Sequence, residues 1–234
     1  MKKVSLMQPY LFPYIGYFQL INAVDLFIVY DDVQWIKGGW INRNRILADG
    51  EPHYVTLPVK KDSHSKNINK REFASTVKLE KERTLDEIKD AYRDAPCFNG
   101  ALPLIKKIFT LDEQNVAIFI TNSIREICNY LGISAEIALS SDLDKNQGLR
   151  SQDRVVDICK TVEAGTYINA IGGKDLYDKA SFAQQNIKLS FIQSSIVEYE
   201  QFANEFTPNL SIIDVMMFND VNTIKNMLDS YELI

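Results

Sequence analysis

VSLMQPYLFPYIGYFQLINAVDLFIVYDD, residues 4–32, decides the reading of the fold. Val4–Met7 is a short apolar run of the kind that fills the middle of a sheet. Pro9 and Pro13 then exclude regular structure from Gln8–Tyr14, since each lacks an N–H and fixes its own φ. From Gly16 to Val24 the apolar residues Tyr17, Leu20, Ile21 and Val24 recur at helical spacing. Leu26–Tyr30 is a second apolar strand, ending at Asp31 and Asp32. Strand, loop, helix and strand in that order form a βαβ unit, which predicts a parallel pair.

Outward from this unit, Gly39–Leu47 and His53–Val59 read as two strands joined by Ala-Asp-Gly-Glu-Pro, and the Asp49-Gly50 pair is a hairpin signal. Lys60–Arg71 is polar and basic without periodicity, so it reads as a mobile loop. Leu79–Tyr92, Leu102–Phe109 and Val116–Leu131 have helical spacing, the last stopping at Gly132. The β/α alternation then resumes. Ile133–Leu139 is a strand, Arg150–Val162 a helix, Thr166–Asn169 a strand, Lys174–Ala180 a short helix and Ile187–Ile192 a strand. Two helical runs follow, Ser211–Phe218 and Val221–Leu228. The expected fold is a single α/β domain over residues 1–234, with a Rossmann-like, open and mainly parallel sheet. A hairpin and mobile loop (39–75) and a helical insertion or cap (78–131) would be added to it.

The 234 residues and 46% apolar composition suffice for one substantial core. A net charge of -5 argues against nucleic acid as a partner. The opening MKKVSLMQPY has no apolar segment of a secretory signal, and no run approaches the roughly 20 apolar residues of a membrane span. Cys97, Cys128 and Cys159 are isolated, as expected of reduced thiols in the cytoplasm, and no histidine neighbours them to support thiol catalysis. With only His53 and His64 available, no zinc site is expected.

Ligands of open parallel sheets bind beyond the carboxyl ends of the strands, and the loops there are chemically unusual. In QPYLFPYIG (residues 8–16), Tyr10, Phe12 and Tyr14 offer faces for a sugar or base, with Gln8 beside them. Gly16 opens a helix whose free N–H groups favour phosphate. The same aromatics would equally cap a core. Asp31 and Asp32 are candidate catalytic carboxylates, as a general base or a ligand of Mg²⁺, a ribose hydroxyl or an amine; Asp is also common in turns. Read as a strand, Trp40, Asn42 and Asn44 share one face while Arg43 and Arg45 share the other. The arginines suit a phosphate or carboxylate, or protect a solvated edge. In GLRSQDR (148–154), Arg150 and Arg154 lie on one helical face, with Asp153 between them. Asn169, Gly172 and Gly173 end a strand where backbone can approach a ligand closely. The basic run Lys60–Arg71 either closes over an anion or is a solvated surface.

MQPYLFPYIGYFQLINAVDLFIVYDDVQ (7–34), WINRNRI (40–46), GLRSQDRVVDICK (148–160) and YINAIGGKDLYD (167–178) resemble the WbqC-like family over nearly the whole chain. The resemblance implies a role in building O-antigen or another surface polysaccharide: modification of a nucleotide-linked sugar by acyl or aminoacyl transfer to an amino sugar. It supplies no catalytic residues. Tyr14-Ile15-Gly16-Tyr17 also stands where nucleotidyltransferases carry a HIGH motif, with tyrosines for both histidines and Mg²⁺ as the implied cofactor. A non-catalytic scaffold of a polysaccharide assembly is the third reading.

Overall fold

The computed structural model describes residues 1–63, 65–202 and 205–234, so His64 lies outside the described residues. The opening βαβ unit is present. Strand β1 (Lys3–Met7) pairs in parallel with β2 (Leu26–Val29), Val4 facing Leu26 and Met7 facing Val29, and helix α1 (Ile15–Asn22) connects them. Strands β3 (Arg43–Ala48) and β4 (Glu51–Thr56) form a separate antiparallel hairpin. Its turn holds both Asp49 and Gly50 at positive φ (51° and 80°), the mirror-image geometry that matches the twist of the flanking strands. Three helices follow: α2 (Val77–Tyr92), α3 (Phe98–Phe109) and α4 (Val116–Leu131). Helix α4 is capped at its start by the Asn115 side chain, which accepts from Ile118 N, and ended by left-handed Gly132.

The second half alternates β5 (Glu136–Leu139), α5 (Ser151–Thr161), β6 (Thr166–Ala170), α6 (Lys179–Ala183) and β7 (Lys188–Ser194), then α7 (Ile212–Phe218), α8 (Val221–Leu228) and β8 (Tyr231–Leu233). The main sheet runs β5-β2-β1-β6-β7-β8, parallel throughout except for β8. Counting only its own strands in chain order, this is 3-2-1-4-5-6, the doubly wound Rossmann arrangement. The order reverses between β1 and β6, so a crevice is expected beyond Met7 and Ala170.

Each face of the sheet has its own apolar layer. Phe27, Val29, Ile168 and Ile192 pack towards α1, α7, α8 and the α2–α4 helices. Val4, Leu6, Leu26, Ile28 and Leu189 pack towards α5 and α6. Alternate residues of one strand thus serve opposite layers, which is why these strands read as continuous apolar runs. Among the described residues no helix is long and apolar enough to cross a membrane.

Two expectations need correction, and one strand was missed. The strand expected from Gly39 starts only at Arg43, because Gly38 takes a φ of 75° and the chain turns through Trp40 before extending. The short helix expected over Lys174–Ala180 is two pieces, a 3₁₀ segment over Ile171–Leu176 and α6 from Lys179. Asp178 separates them, its carboxylate accepting from Ala180 N and Ser181 N as an N-cap. The terminal strand β8 was not expected. Its three residues are too few to show a period, and pairing with β7 defines them.

Candidate functional site

Asp31 and Asp32 follow β2 and face different partners. Asp31 is 1% exposed; its Oδ1 accepts from Ser141 N at 2.9 Å and its Oδ2 from the Ser141 hydroxyl at 2.6 Å. Burial raises its proton affinity above that of an ordinary carboxylate, and the two bonds from Ser141 oppose the rise. Asp32 Oδ2 lies 2.8 Å from Lys145 Nζ and 2.6 Å from Arg154 Nη2. The Lys145 ammonium also donates to the Ser140 carbonyl. All three charged residues are buried, so two cations share one carboxylate. Among the described residues, Asp32 Oδ1 and Arg154 Nε have no hydrogen-bond partner.

The cluster extends across the reversal in strand order. The Arg154 guanidinium lies over the Tyr30 ring, 5.3 Å from its centre. Burial pushes the Tyr30 phenol up to about 12; Arg154 and Arg150 draw it down, and Asp32 and Tyr177 push it further up. Residues after β2, at the start of α5 and after β6 are therefore close enough to feel one another's charge. Helix α5 achieves this by starting at Ser151, which places Arg154 in its first turn. Asn169, the penultimate residue of β6, lies beside Gly173, where a Cβ would come 2.2 Å from the Asn169 Nδ2 and force that side chain to move.

The aromatic loop forms a second locus. Tyr10, Pro13, Tyr14, Trp40, Asn44, Arg45 and Asn209 line a cavity of about 240 Å³. Asn44 holds the loop by donating to the Leu11 and Phe12 carbonyls at 2.9 and 2.8 Å. Arg45 lies over Trp40, and Trp40 stacks on Tyr54 at 6.2 Å. Trp40 and Arg45 therefore meet rather than occupying opposite faces, because Trp40 lies in the turn and not in the strand. Tyr14 also borders a smaller cavity with Gly16, Ser194 and Ser195, linking the loop to the end of β7.

Phe12 and Tyr17 belong to the core. Phe12 is fully buried and stacks on Phe109 at 5.2 Å. Tyr17 is buried with its hydroxyl donating to the Gln8 carbonyl at 2.9 Å. Arg43 donates to the Gly38 and Gly39 carbonyls, and Asn42 to the Leu57 carbonyl. Arg150 is exposed and donates to the Gln147 and Leu149 carbonyls. Asp153 lines a shallow depression with Ser181 and Gln184 of the α6 region. Gln8, Asp31, Asn42 and Arg150 have different hydrogen-bond surroundings: the Gln8 carbonyl accepts from Tyr17, Asp31 from Ser141, and Asn42 and Arg150 donate to nearby carbonyls. Of the candidates, Asp32 and Arg154 meet in one place, with Arg150 near enough for its charge to reach Tyr30, and Tyr10, Tyr14, Trp40, Asn44 and Arg45 gather in another.

Sequence reasoning missed Lys145, Ser141, Tyr30 and Tyr177. Lys145 lies in the polar run Asp142–Gly148, where nothing in the pattern distinguishes a buried lysine from a solvated one. Among the described residues no group of three or more His, Cys, Asp or Glu gathers to hold a metal ion. The carboxylates of Asp31 and Asp32 do not fit Mg²⁺ as placed, since Ser141 occupies one and two cations face the other.

No solved structure gives a significant match to the chain. It is 31% identical over 223 residues to the uncharacterized protein Rv1507c of Mycobacterium tuberculosis (strain ATCC 25618 / H37Rv), covering 94% of each chain. The family model of the WbqC-like proteins matches residues 8–226, and the chain belongs to the WbqC-like protein family.

Proposed function

We propose that this protein is a transferase of surface-polysaccharide assembly that modifies a nucleotide-linked amino sugar by acyl or aminoacyl transfer. The observation that carries the reading is the cluster of Tyr30, Asp32, Arg150, Arg154 and Tyr177 at the reversal of strand order. Arg154, with an unpartnered Nε, and exposed Arg150 are the phosphate-binding groups. Tyr30 and Tyr177 offer ring faces to base or sugar. Asp32 is a positioning residue that fixes Arg154 and Lys145. Asp31, which makes no salt bridge among the described residues, is the base once the Ser141 hydroxyl gives way to the acceptor amine. It accepts a proton from the acceptor amine as the nitrogen attacks the acyl carbon and the donor's bond to that carbon breaks.

A thermal-shift screen of the whole protein against nucleotide sugars, nucleotides with and without Mg²⁺, and acyl donors tests this, because a ligand of the native state raises Tm by mass action. Nucleotide sugars should stabilise the parent and lose that effect in Arg150→Ala. A response only to Mg²⁺ with a nucleoside triphosphate would favour nucleotidyl transfer in its place. No response to any small molecule would favour a scaffold. On a confirmed substrate, full turnover by Asp31→Asn would remove Asp31 as the base.

A further inference from the structure

A basic groove lies apart from the strand-end cluster. Trp35, Lys37, Arg43, Lys60, Lys61 and Arg71 line it, with Asp62 as its one carboxylate, and its volume is about 530 Å³. That is within the range of small-molecule sites, roughly 300–1,000 Å³. Two segments make its walls. The chain after Asp32 is laced to the chain before Arg71 by Ile68 N to the Val33 carbonyl (2.9 Å), Trp35 N to the Lys66 carbonyl (3.2 Å) and Asn67 Nδ2 to the Asp32 carbonyl (3.0 Å).

Arg71 distinguishes this groove from an ordinary run of surface lysines. It is 4% exposed, yet among the described residues it makes no salt bridge. Its Nη2 donates to the Ser63 carbonyl at 2.6 Å, its guanidinium lies 5.4 Å from the centre of the Trp35 ring, and its Nε has no partner. A buried cation normally has an anion against it, because desolvation without compensation is costly. Asp62, the groove's own acid, feels the Arg71 charge but is paired directly with Lys66. The Lys60 ammonium meets Glu72 at 3.4 Å on the surface, an exposed pair that contributes little and is easily exchanged.

We infer that this groove binds the phosphate or diphosphate group of a small anionic ligand, which supplies the direct ion pair that Arg71 does not make among the described residues. A multiply charged anion suits five cations better than a carboxylate does, and a planar guanidinium offers parallel donors to phosphate oxygens. The inference does not rest on the proposed transfer reaction.

Calorimetric titration of the whole protein with inorganic pyrophosphate at fixed ionic strength tests it. One pyrophosphate should bind per chain, and Lys60→Ala/Lys61→Ala should weaken binding about tenfold. Arg71→Lys should weaken it too, since the fork of donors is lost. Lys60 and Lys61 are exposed, so the double variant keeps its fold and decides the matter even if Arg71→Lys does not fold. Absence of saturable binding, or unchanged affinity in the double variant, would overturn the inference. So would affinity lost in Arg150→Ala but kept in the double variant, which would place the anion at the strand ends. Nucleotide sugars without effect but pyrophosphate bound as described would remove the transferase reading and leave this one standing.

Discussion

Asp32 and Arg154, 122 positions apart in the sequence, approach to 2.6 Å where the end of β2 meets the first turn of α5. Lys145 stands 2.8 Å from the same carboxylate oxygen with its side chain fully buried. The pair fastens the end of β2 to the first turn of α5, and it ties the geometry of the candidate site to the stability of the fold.

Asp32→Asn should therefore be costly. It leaves two buried cations without a counter-charge, a loss of about 3–5 kcal/mol on the scale of broken buried pairs. Urea unfolding followed by circular dichroism measures it. A variant as stable as the parent would mean that water already solvates the cluster.

Asp214 offers a test by pH. Its carboxylate accepts from Tyr92 Oη (2.7 Å), Tyr199 Oη (2.6 Å) and Gln201 Nε2 (2.7 Å). Burial raises its proton affinity, and these bonds only partly offset that. A raised folded-state value means that this residue's contribution is fully present below the unfolded value and is lost as pH rises through the folded one. The stability of Asp214→Asn minus that of the parent should thus increase with pH from about 4 upward. A difference independent of pH would show that Asp214 titrates as if in water.

Gly16→Ala probes the aromatic cavity. A Cβ there would lie 2.4 Å from the Tyr14 ring and 2.8 Å from Ser194 Oγ, so Tyr14 has to move. Overpacking of this kind costs about 1–3 kcal/mol. Any ligand of the Tyr10–Tyr14–Trp40 cavity should bind more weakly as well. Wild-type stability and affinity in the variant would show that Tyr14 swings aside freely.

The cysteines should differ in reactivity. Burial pushes the thiols of Cys128 and Cys159 up to about 12, whereas Cys97 is only partly buried and is raised less. Since the thiolate is the nucleophile, a disulfide reagent on the native protein should modify Cys97 alone, and all three thiols after denaturation. Modification of more than one native thiol would mean that a core layer opens.

The framework was legible where local physics is decisive. Val4–Met7 and Leu26–Tyr30 are apolar runs with prolines and a helical period between them, and Asp49-Gly50 names its own turn. The site was only partly legible. Asp32, Arg150 and Arg154 stand out at strand and helix ends, but nothing local distinguishes Phe12, which packs on Phe109, from Tyr14, which borders a cavity. Trp40 was placed on the wrong side of Arg45 because Gly38 delays the strand. Lys145 and Arg71 owe their burial to distant segments, which periodicity cannot see.

The strand order also has a consequence for synthesis. β1 is made first but sits in the middle of the sheet, with β6 as its second neighbour. Until Ala170 has left the ribosome, its second edge has no native partner, so among the strands of the sheet β1 waits longest for its full complement of hydrogen bonds. Production in cells should accordingly depend on how well a chaperone shields residues 3–7 during that interval.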